Sequence, residues 1–255
     1  MTLIISAATW DKELKSGMRQ AELILLAREA GCAGVEFRPY WQDIEEEIPL
    51  IREVLRQHNM VCAYASNEAL LAGSRQETLQ AIASLKTGVQ LADRLGAKVL
   101  RFNVASGAFD SSLVHTSWWV EAMNQVLELA KSLGIVLAVE NGPDAQKGNP
   151  EVFKEIFAVL PELGLTYDTG NWLYANTKPE VALEWFLSQV GYVHLKDIIC
   201  ENGSLKHGHP GTGLVDVKGL KERIQASGYT GLLALEFPGG DKPLERVFKS
   251  LAYLG

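Results

Sequence analysis

A short pattern recurs along this chain and constrains its fold more than any other feature: the end of an amphipathic helix, then a glycine, then a short apolar strand. It covers residues 25–37, 89–102, 127–140, 159–168 and 223–237. Glycine suits the position after a helix because it adopts a positive φ without a Cβ clash. The residues predicted to take this conformation are Gly31, Gly96, Gly134, Gly164, Gly228 and, before another strand, Asn59. The pattern predicts alternating helices and strands.

The predicted strands are nearly continuous apolar runs. Such runs are typical of a parallel sheet that helices cover on both faces. They occupy residues 2–6, 33–37, 61–65, 98–102, 136–140, 165–168, 192–196 and 232–237. A polar, glycine-rich segment at 199–213 is the longest stretch without a helical pattern, and it separates the seventh strand from its helix. The sequence therefore predicts eight βα units.

Eight βα units in 255 residues match the usual size of a TIM barrel, about 250 residues. A doubly wound open sheet would also alternate strands and helices. It usually carries a GxGxxG loop after an early strand, and this sequence has none. No Pro/Ser-rich linker or shift in composition divides the chain. We therefore predict an α/β protein that forms a single (β/α)8 TIM barrel, with residues 1–255 as one domain.

The charge balance disfavours binding to nucleic acid. The chain has 24 Lys and Arg residues against 31 Asp and Glu residues, a net charge of −7, and no run of four basic residues. A protein that tracks a phosphate backbone needs a basic surface. We therefore expect no nucleic-acid partner.

The cysteines and the apolar segments indicate a reduced, soluble protein. Cys32, Cys62 and Cys200 are odd in number, far apart and in no CxxC pair, so neither a disulfide framework nor a zinc ribbon is expected. The first residues lack the pattern of a signal peptide. No stretch approaches the roughly 18 apolar residues of a membrane span. We expect a cytoplasmic chain with no membrane partner.

Polar residues follow almost every predicted strand at its carboxyl end, which is where TIM barrels carry their sites. They are Glu36, Asn67, Arg101, Asn103, Glu140, Asn141, Asp168, Asn171, His194, Lys196 and Glu236. We expect these side chains to share one rim of the barrel.

Four of these residues, on strands five to eight, suggest a metal site: Glu140, Asp168, His194 and Glu236. Each of these residues alone has an ordinary explanation. A glutamate could cap a helix or form an ion pair, and the histidine could pack in the core. Three carboxylates together, however, would repel one another unless a cation lay between them. One imidazole with three carboxylates suits Mn²⁺ or Mg²⁺, with Co²⁺ or Zn²⁺ as alternatives. We expect one divalent ion, with Mn²⁺ as the first choice.

The segments around these residues carry a family resemblance. Six segments extend this resemblance over the whole chain. They are GVEF (34–37), VENGP (139–143), LTYDTGNW (165–172), VHLKD (193–197), HPGTGLVD (209–216) and ALEFPG (234–239). In order and placement they resemble the xylose-isomerase-like TIM-barrel superfamily of sugar phosphate isomerases and epimerases. Its branches include ketose 3-epimerases, hydroxypyruvate isomerase, inosose isomerases and dehydratases, and endonuclease IV. The resemblance implies that Glu140, Asp168, His194 and Glu236 bind the metal, and that the two glutamates are the catalytic acid/base pair.

These residues suit proton transfer beside a carbonyl. A divalent cation on the ketone oxygen and the neighbouring hydroxyl stabilises a cis-enediolate as its charge develops. Glu140 and Glu236 would remove the proton and return it, either to the other face of the same carbon or to the next carbon. We therefore predict a metal-dependent isomerase or epimerase that acts on a keto-sugar or a related polyol ketone.

Three other functions remain open to different degrees. An inosose-type dehydratase could use the same carboxylates with a leaving hydroxyl. A non-catalytic sugar-binding barrel would need no acid/base pair. The net acidity argues against an endonuclease. The expected partner is a small carbohydrate, and a homo-oligomer that pairs through outer helices is also open.

Several further residues are candidates for substrate contacts. Arg101 could bind a phosphate or carboxylate in two-pronged fashion, or form an ion pair in the rim. Lys196 could place positive charge near the enediolate, or pair with Asp197 at the surface. Trp10 and Trp172 follow strands and could act as sugar platforms. The candidates for contacts to hydroxyl groups are Glu36, Asn67, Asn103, Asn141, Asn171, His207 and His209.

Two departures from the family pattern prevent the substrate from being carried over. Where some branches have a histidine three residues after the strand-six aspartate, this chain has Asn171. Where the ketose epimerases have an arginine before the Pro-Gly-x-Gly turn, this chain has His207 and His209. Both changes affect residues that orient the substrate in those relatives.

Overall fold

Eight parallel strands close into a barrel in the computed structural model, which describes residues 1–255. The barrel strands are β1 (Thr2–Ser6), β2 (Gly34–Phe37), β3 (Val61–Leu71), β4 (Val99–Ala105), β5 (Val136–Glu140), β6 (Gly164–Asp168), β7 (Val190–Leu195) and β10 (Leu232–Leu235). Their order around the barrel is β1-β10-β7-β6-β5-β4-β3-β2. The predicted single (β/α)8 TIM barrel is confirmed, and all eight predicted strands are present.

Nine helices lie in the connections between barrel strands and after the last one. They are α1 (Asp11–Lys15), α2 (Glu22–Glu29), α3 (Ile44–Gln57), α4 (Arg75–Leu95), α5 (Ser117–Ser132), α6 (Pro150–Val159), α7 (Pro179–Phe186), α8 (Val217–Ala226) and α9 (Pro243–Leu254). Asp216 caps α8 by accepting a hydrogen bond from the Gly219 backbone amide at 2.9 Å. None of the nine is both long and apolar enough to cross a bilayer.

The predicted helix-ending glycines have positive φ with one exception. Gly96, for example, ends α4 with φ 76°, and Asn59 takes the same conformation at 53°. Gly164 does not, so this expectation is wrong. It begins β6, where an added Cβ would lie 3.0 Å from the Leu137 carbonyl oxygen. Glycine is needed there for a close approach between strands, not for a helix end.

The interior of the barrel has an apolar layer below a charged one. Buried apolar side chains, among them Ile4, Ala138 and Tyr192, pack together inside the barrel. Successive residues of a strand alternate between faces, so the residue two positions later also points inward. For Ala138 and Tyr192 these residues are Glu140 and His194. The charged layer therefore lies directly above the apolar one, at the carboxyl ends of the strands.

The segment predicted as a polar insertion forms an antiparallel hairpin, β8 (Asp197–Glu201) and β9 (Ser204–Gly208). Asn202 and Gly203 make its turn with φ of 52° and 78°, as a two-residue hairpin turn requires. The loop after it is held by Asp197, which is fully buried and accepts backbone hydrogen bonds from four residues. The donors are Ile198 at 2.7 Å, Thr212 at 3.0 Å, Gly213 at 2.7 Å and Val215 at 3.0 Å.

We expect Asp197→Ala to lower the free energy of unfolding by at least about 3 kcal/mol. Each hydrogen bond to a charged acceptor contributes about 1.5–3 kcal/mol, and the variant leaves four amides without one. Urea denaturation measures the change. Asp216→Ala, which removes only a helix cap, is the control and should cost about 1 kcal/mol. Equal losses in the two variants would show that Asp197 does not organise the loop.

The cysteines behave as expected from the sequence. All three are free, with Cys32 and Cys62 buried and Cys200 exposed. Burial raises the pKa of Cys32 to about 11 and that of Cys62 to about 12. The two buried thiols are therefore protonated at neutral pH and serve as packing residues.

Candidate metal and active site

Three of the four predicted metal ligands converge in the charged layer. Ligand atoms of Glu140, Asp168 and His194 all lie within 4.8 Å of one another. His194 Nδ1 is 2.6 Å from Glu140 Oε1 and 3.9 Å from Asp168 Oδ2. All three side chains are buried, and they come from the neighbouring strands β5, β6 and β7.

The fourth predicted ligand, Glu236, is connected to this group by a buried lysine that forms ion pairs with both Glu236 and Asp168. The Lys196 ammonium lies 2.8 Å from Asp168 Oδ2 and also forms an ion pair with Glu236 Oε2. Only 3% of Lys196 is exposed, so the alternative of a surface lysine paired with Asp197 is wrong. Glu236 Oε1 accepts a further hydrogen bond from Arg38 Nη2 at 3.2 Å.

Arg101 connects the site to an irregularity in β3. Its guanidinium forms a buried ion pair with Glu140 and donates to the Ser66 carbonyl at 3.1 Å. The register between β3 and β4 shifts between Ala65 and Ala69, which frees carbonyls on β3 from the regular ladder. Asn103 donates to the second such carbonyl, that of Glu68, at 3.3 Å. Of the two interpretations of Arg101, the structure shows the ion pair.

Neighbouring charges control the ionisation of the glutamates. Burial alone would raise the pKa of Glu236, but Lys196, Arg38 and His194 more than offset this and hold it well below its usual value. The pKa of Glu36 is also lowered, because His194 and Arg38 outweigh its burial. Burial together with the charge of Arg38 lowers the pKa of Arg101 to about 10. Both glutamates are therefore carboxylates, and Arg101 is a cation, at neutral pH.

The donor set fits a divalent cation. Asp168 Oδ2 and Glu236 Oε2 are buried beside the Lys196 ammonium, yet neither accepts a hydrogen bond of normal geometry. Together with Glu140 and the His194 imidazole, they form the oxygen-rich, single-nitrogen set that Mn²⁺, Mg²⁺ or Zn²⁺ accepts. The lysine ammonium therefore lies among oxygens that could also serve a metal ion.

A cavity of about 330 Å³ opens beside Glu236. Its walls include Thr9, Tyr40, His207 and the segment that follows β10. The Thr9 hydroxyl is buried there without a hydrogen-bond partner. This volume is at the lower end of the range for small-molecule sites, so the cavity suits a ligand of modest size.

The other predicted contact residues differ in their burial and in what they contact. Asn171 is buried next to it, and its backbone amide donates to Asp168 Oδ1 at 2.9 Å. Asn67 is exposed, and His209 is half-buried with its ring 5.8 Å from Phe237. Trp10 is only 3% exposed and belongs to the main hydrophobic core, so it offers a ligand little surface.

Trp172 does not form a sugar platform, and this expectation is wrong. The side chain is fully buried and stacks on Phe186, with ring centroids 5.6 Å apart. Phe153 packs against it edge-on at 5.6 Å. Trp172 lies in an aromatic cluster, where it is inaccessible to a ligand.

Sequence reasoning missed three residues that contact the site: Ser6, Arg38 and Tyr192. All three bind Glu36, through bonds of 2.5 Å from Ser6, 3.2 Å from Arg38 and 2.9 Å from Tyr192. The two-residue period contained the signal for two of them, since Arg38 follows Glu36 by two positions and Tyr192 precedes His194 by two. Ser6 ends β1, where a hydroxyl directly after the apolar residues 3–5 could have been noticed.

The chain is similar to proteins of known structure over almost its whole length. It superposes on the IolI protein with a bound zinc atom at a TM-score of 0.78 and 16% identity, covering 99% of this chain and 96% of that one. D-psicose 3-epimerase from Clostridium cellulolyticum H10, solved with D-tagatose, gives a TM-score of 0.73 at 15% identity, with 100% and 98% covered. At these identities the likeness establishes the fold.

A curated relative matches over a shorter region. The inosose dehydratase of Lacticaseibacillus casei is 25% identical over an alignment of 111 residues, which covers 36% of this chain and 37% of the relative. The chain thus matches little more than a third of that protein's length. The family model for the xylose isomerase-like TIM barrel, in contrast, matches residues 24–254. The chain therefore belongs to the xylose isomerase-like TIM-barrel family.

Proposed function

We propose that this protein is a metal-dependent isomerase or epimerase that moves a proton beside the carbonyl of a keto-sugar or related polyol ketone. The observation that carries the proposal is the convergence of Glu140, Asp168 and His194 within 4.8 Å, at strand ends in the barrel rim. Glu236 lies next to them and lines the adjoining cavity. The similarity to a 3-epimerase and to a zinc-containing barrel supports the same class of chemistry.

In this proposal Glu140, Asp168, His194 and Glu236 hold the metal ion. When bound, a divalent ion there stabilises negative charge on the oxygens of an enediolate, and Mn²⁺ is our first choice. Glu236 borders the cavity as a carboxylate, which is the form that accepts a proton. Glu140, which is held by Arg101, would be the acid on the other face. It would take a proton from solvent and deliver it to the enediolate, and Glu236 would release the removed proton to solvent.

The remaining side chains of the site would orient the substrate. Lys196 holds Asp168 and Glu236 and brings positive charge to where the enediolate would form. Arg101 could exchange its carboxylate partner for an acidic group on the substrate. The further proposed substrate contacts are Asn67, Asn103, Asn171 and His209.

An inosose-type dehydratase is the second candidate, favoured by the similarity to the Lacticaseibacillus casei enzyme. Its first step would be the same proton removal by a glutamate. Lys196 would then be placed to protonate a departing hydroxyl. Mass spectrometry separates the two candidates, because a dehydratase product is lighter by one water (about 18 mass units), whereas an isomerase product has the mass of its substrate.

Metal analysis of protein purified without chelator is the direct test of the site. We expect about one divalent ion per chain, because the four ligands form a single site and leave further coordination positions of an ion such as Mn²⁺ for oxygens of the substrate. Glu236→Gln should reduce the content. Glu47→Gln is the matched control, because Glu47 is a buried carboxylate on α3 that accepts backbone hydrogen bonds at 2.7 and 3.2 Å. Protein that holds no metal, and takes up none when it is added, would disprove the proposed function.

A further inference from the structure

His194 is held between carboxylates on both of its ring nitrogens. Nδ1 faces Glu140 and Asp168, the two oxygen ligands that lie nearest to it. Nε2 points the other way and lies 2.6 Å from Glu36 Oε2. Glu36 comes from β2, three strands away from β7 around the barrel, so its side chain contacts His194 across the interior.

Glu36 has no free position for a sugar hydroxyl. Its side chain is fully buried, and both oxygens are occupied. Oε1 accepts from Ser6 and Arg38, and Oε2 accepts from Tyr192 and contacts His194. This saturation contrasts with the role in substrate binding expected from its place at the end of a strand.

We propose that Glu36 is a positioning residue: it accepts the Nε2 proton of His194 and so directs Nδ1, as the metal ligand, towards Glu140 and Asp168. A metal-binding imidazole usually donates its other N–H to a carboxylate or carbonyl, which fixes the ring and increases the basicity of the ligating nitrogen. Ser6, Arg38 and Tyr192 in turn fix the carboxylate. The inference rests on the proposed function, because it requires that His194 binds a metal ion.

The affinity of the protein for Co²⁺ tests this role without reference to activity. We expect Glu36→Gln, which keeps the shape of the side chain but removes its charge, to bind Co²⁺ about 10–100-fold more weakly than wild type. The visible absorption bands of the bound Co²⁺ should also shift, since they report the geometry of its ligands. Glu47→Gln is the control, because it makes the same change at a buried carboxylate on α3 outside this group, and it should bind Co²⁺ as wild type does.

A second measurement uses the wild-type protein alone, in case Glu36→Gln does not fold. In Zn²⁺-loaded protein with ¹⁵N-labelled histidine, NMR should show His194 bound to the metal through Nδ1 and protonated at Nε2. Binding through Nε2 would overturn the inference, as would a folded Glu36→Gln variant with unchanged Co²⁺ affinity and spectrum. A wild-type protein that binds neither ion would instead overturn the proposed function, and this inference with it.

Discussion

Exchange of solvent deuterium into a bound ketose should fall by about 10²–10⁴-fold in Glu236→Gln, because an amide cannot accept the proton that the carboxylate removes. The assay incubates metal-loaded protein in D₂O with a panel of ketoses and inososes and follows loss of the proton beside the carbonyl by NMR. Exchange precedes both isomerisation and loss of water, so the assay does not depend on which reaction completes the cycle.

Glu236 is the better of the two glutamates for this experiment. In Glu236→Gln, Lys196 keeps its ion pair with Asp168, and Arg38 keeps its bond to Glu36. Glu140→Gln, in contrast, would leave Arg101 buried without its carboxylate partner, so a loss of exchange there could reflect a loss of folding. Glu47→Gln is the control. We expect it to fold and to exchange at the wild-type rate, which would show that the loss of exchange is specific to Glu236. Exchange at the wild-type rate in folded, metal-loaded Glu236→Gln would show that another group removes the proton, and would disprove the role of Glu236 as the base.

Replacing Lys196 with methionine should lower the stability of the metal-free protein and increase its affinity for a divalent ion. Without metal, the variant leaves Asp168 and Glu236 buried beside no ammonium group. Removing one partner of a buried ion pair costs about 3–5 kcal/mol of the free energy of unfolding. With a divalent ion present, the ion would supply the missing positive charge. Binding to the native state then restores stability in proportion to the logarithm of the ion concentration over its Kd.

The measurement is urea denaturation of wild type and Lys196→Met, with chelator and with Mn²⁺. We expect the variant to be less stable than wild type in chelator, to gain more stability from Mn²⁺, and to bind Mn²⁺ more tightly because no ammonium competes for the oxygens. Lys131→Met is the control, since its ion pair with Glu162 is exposed and contributes about 1 kcal/mol or less. A metal-free Lys196→Met variant as stable as wild type, or weaker Mn²⁺ binding by it, would contradict this account.

Local patterns in the sequence were sufficient to predict the barrel and its rim. The apolar runs placed all eight strands, because a strand buried on both faces needs apolar residues at almost every position. The predicted ligands Glu140 and Asp168 end β5 and β6, and the last residues of parallel strands meet at one edge. The exception among the helix-ending glycines, Gly164, is instructive: glycine also permits close approach between strands, and a single sequence does not distinguish the two uses.

The sequence did not predict how the charged side chains pair. Lys196 could have paired with its neighbour Asp197, yet its ammonium contacts Asp168 and Glu236, while Asp197 binds backbone amides of a later loop. The pairing of Arg38 with Glu236 could not be predicted, because the two residues are 198 positions apart along the chain.

The sequence by itself determined the barrel, the one-sided placement of its polar residues and the residue types at that rim that could hold a metal ion. These follow from periodicity and residue type, which are local properties. Only the tertiary structure decided which cation neutralises which carboxylate, and that Glu36 faces His194 instead of the cavity. Closure of the barrel brings together side chains from strands far apart in sequence, and in a buried layer each charge must find a partner among whatever groups lie within a few ångströms.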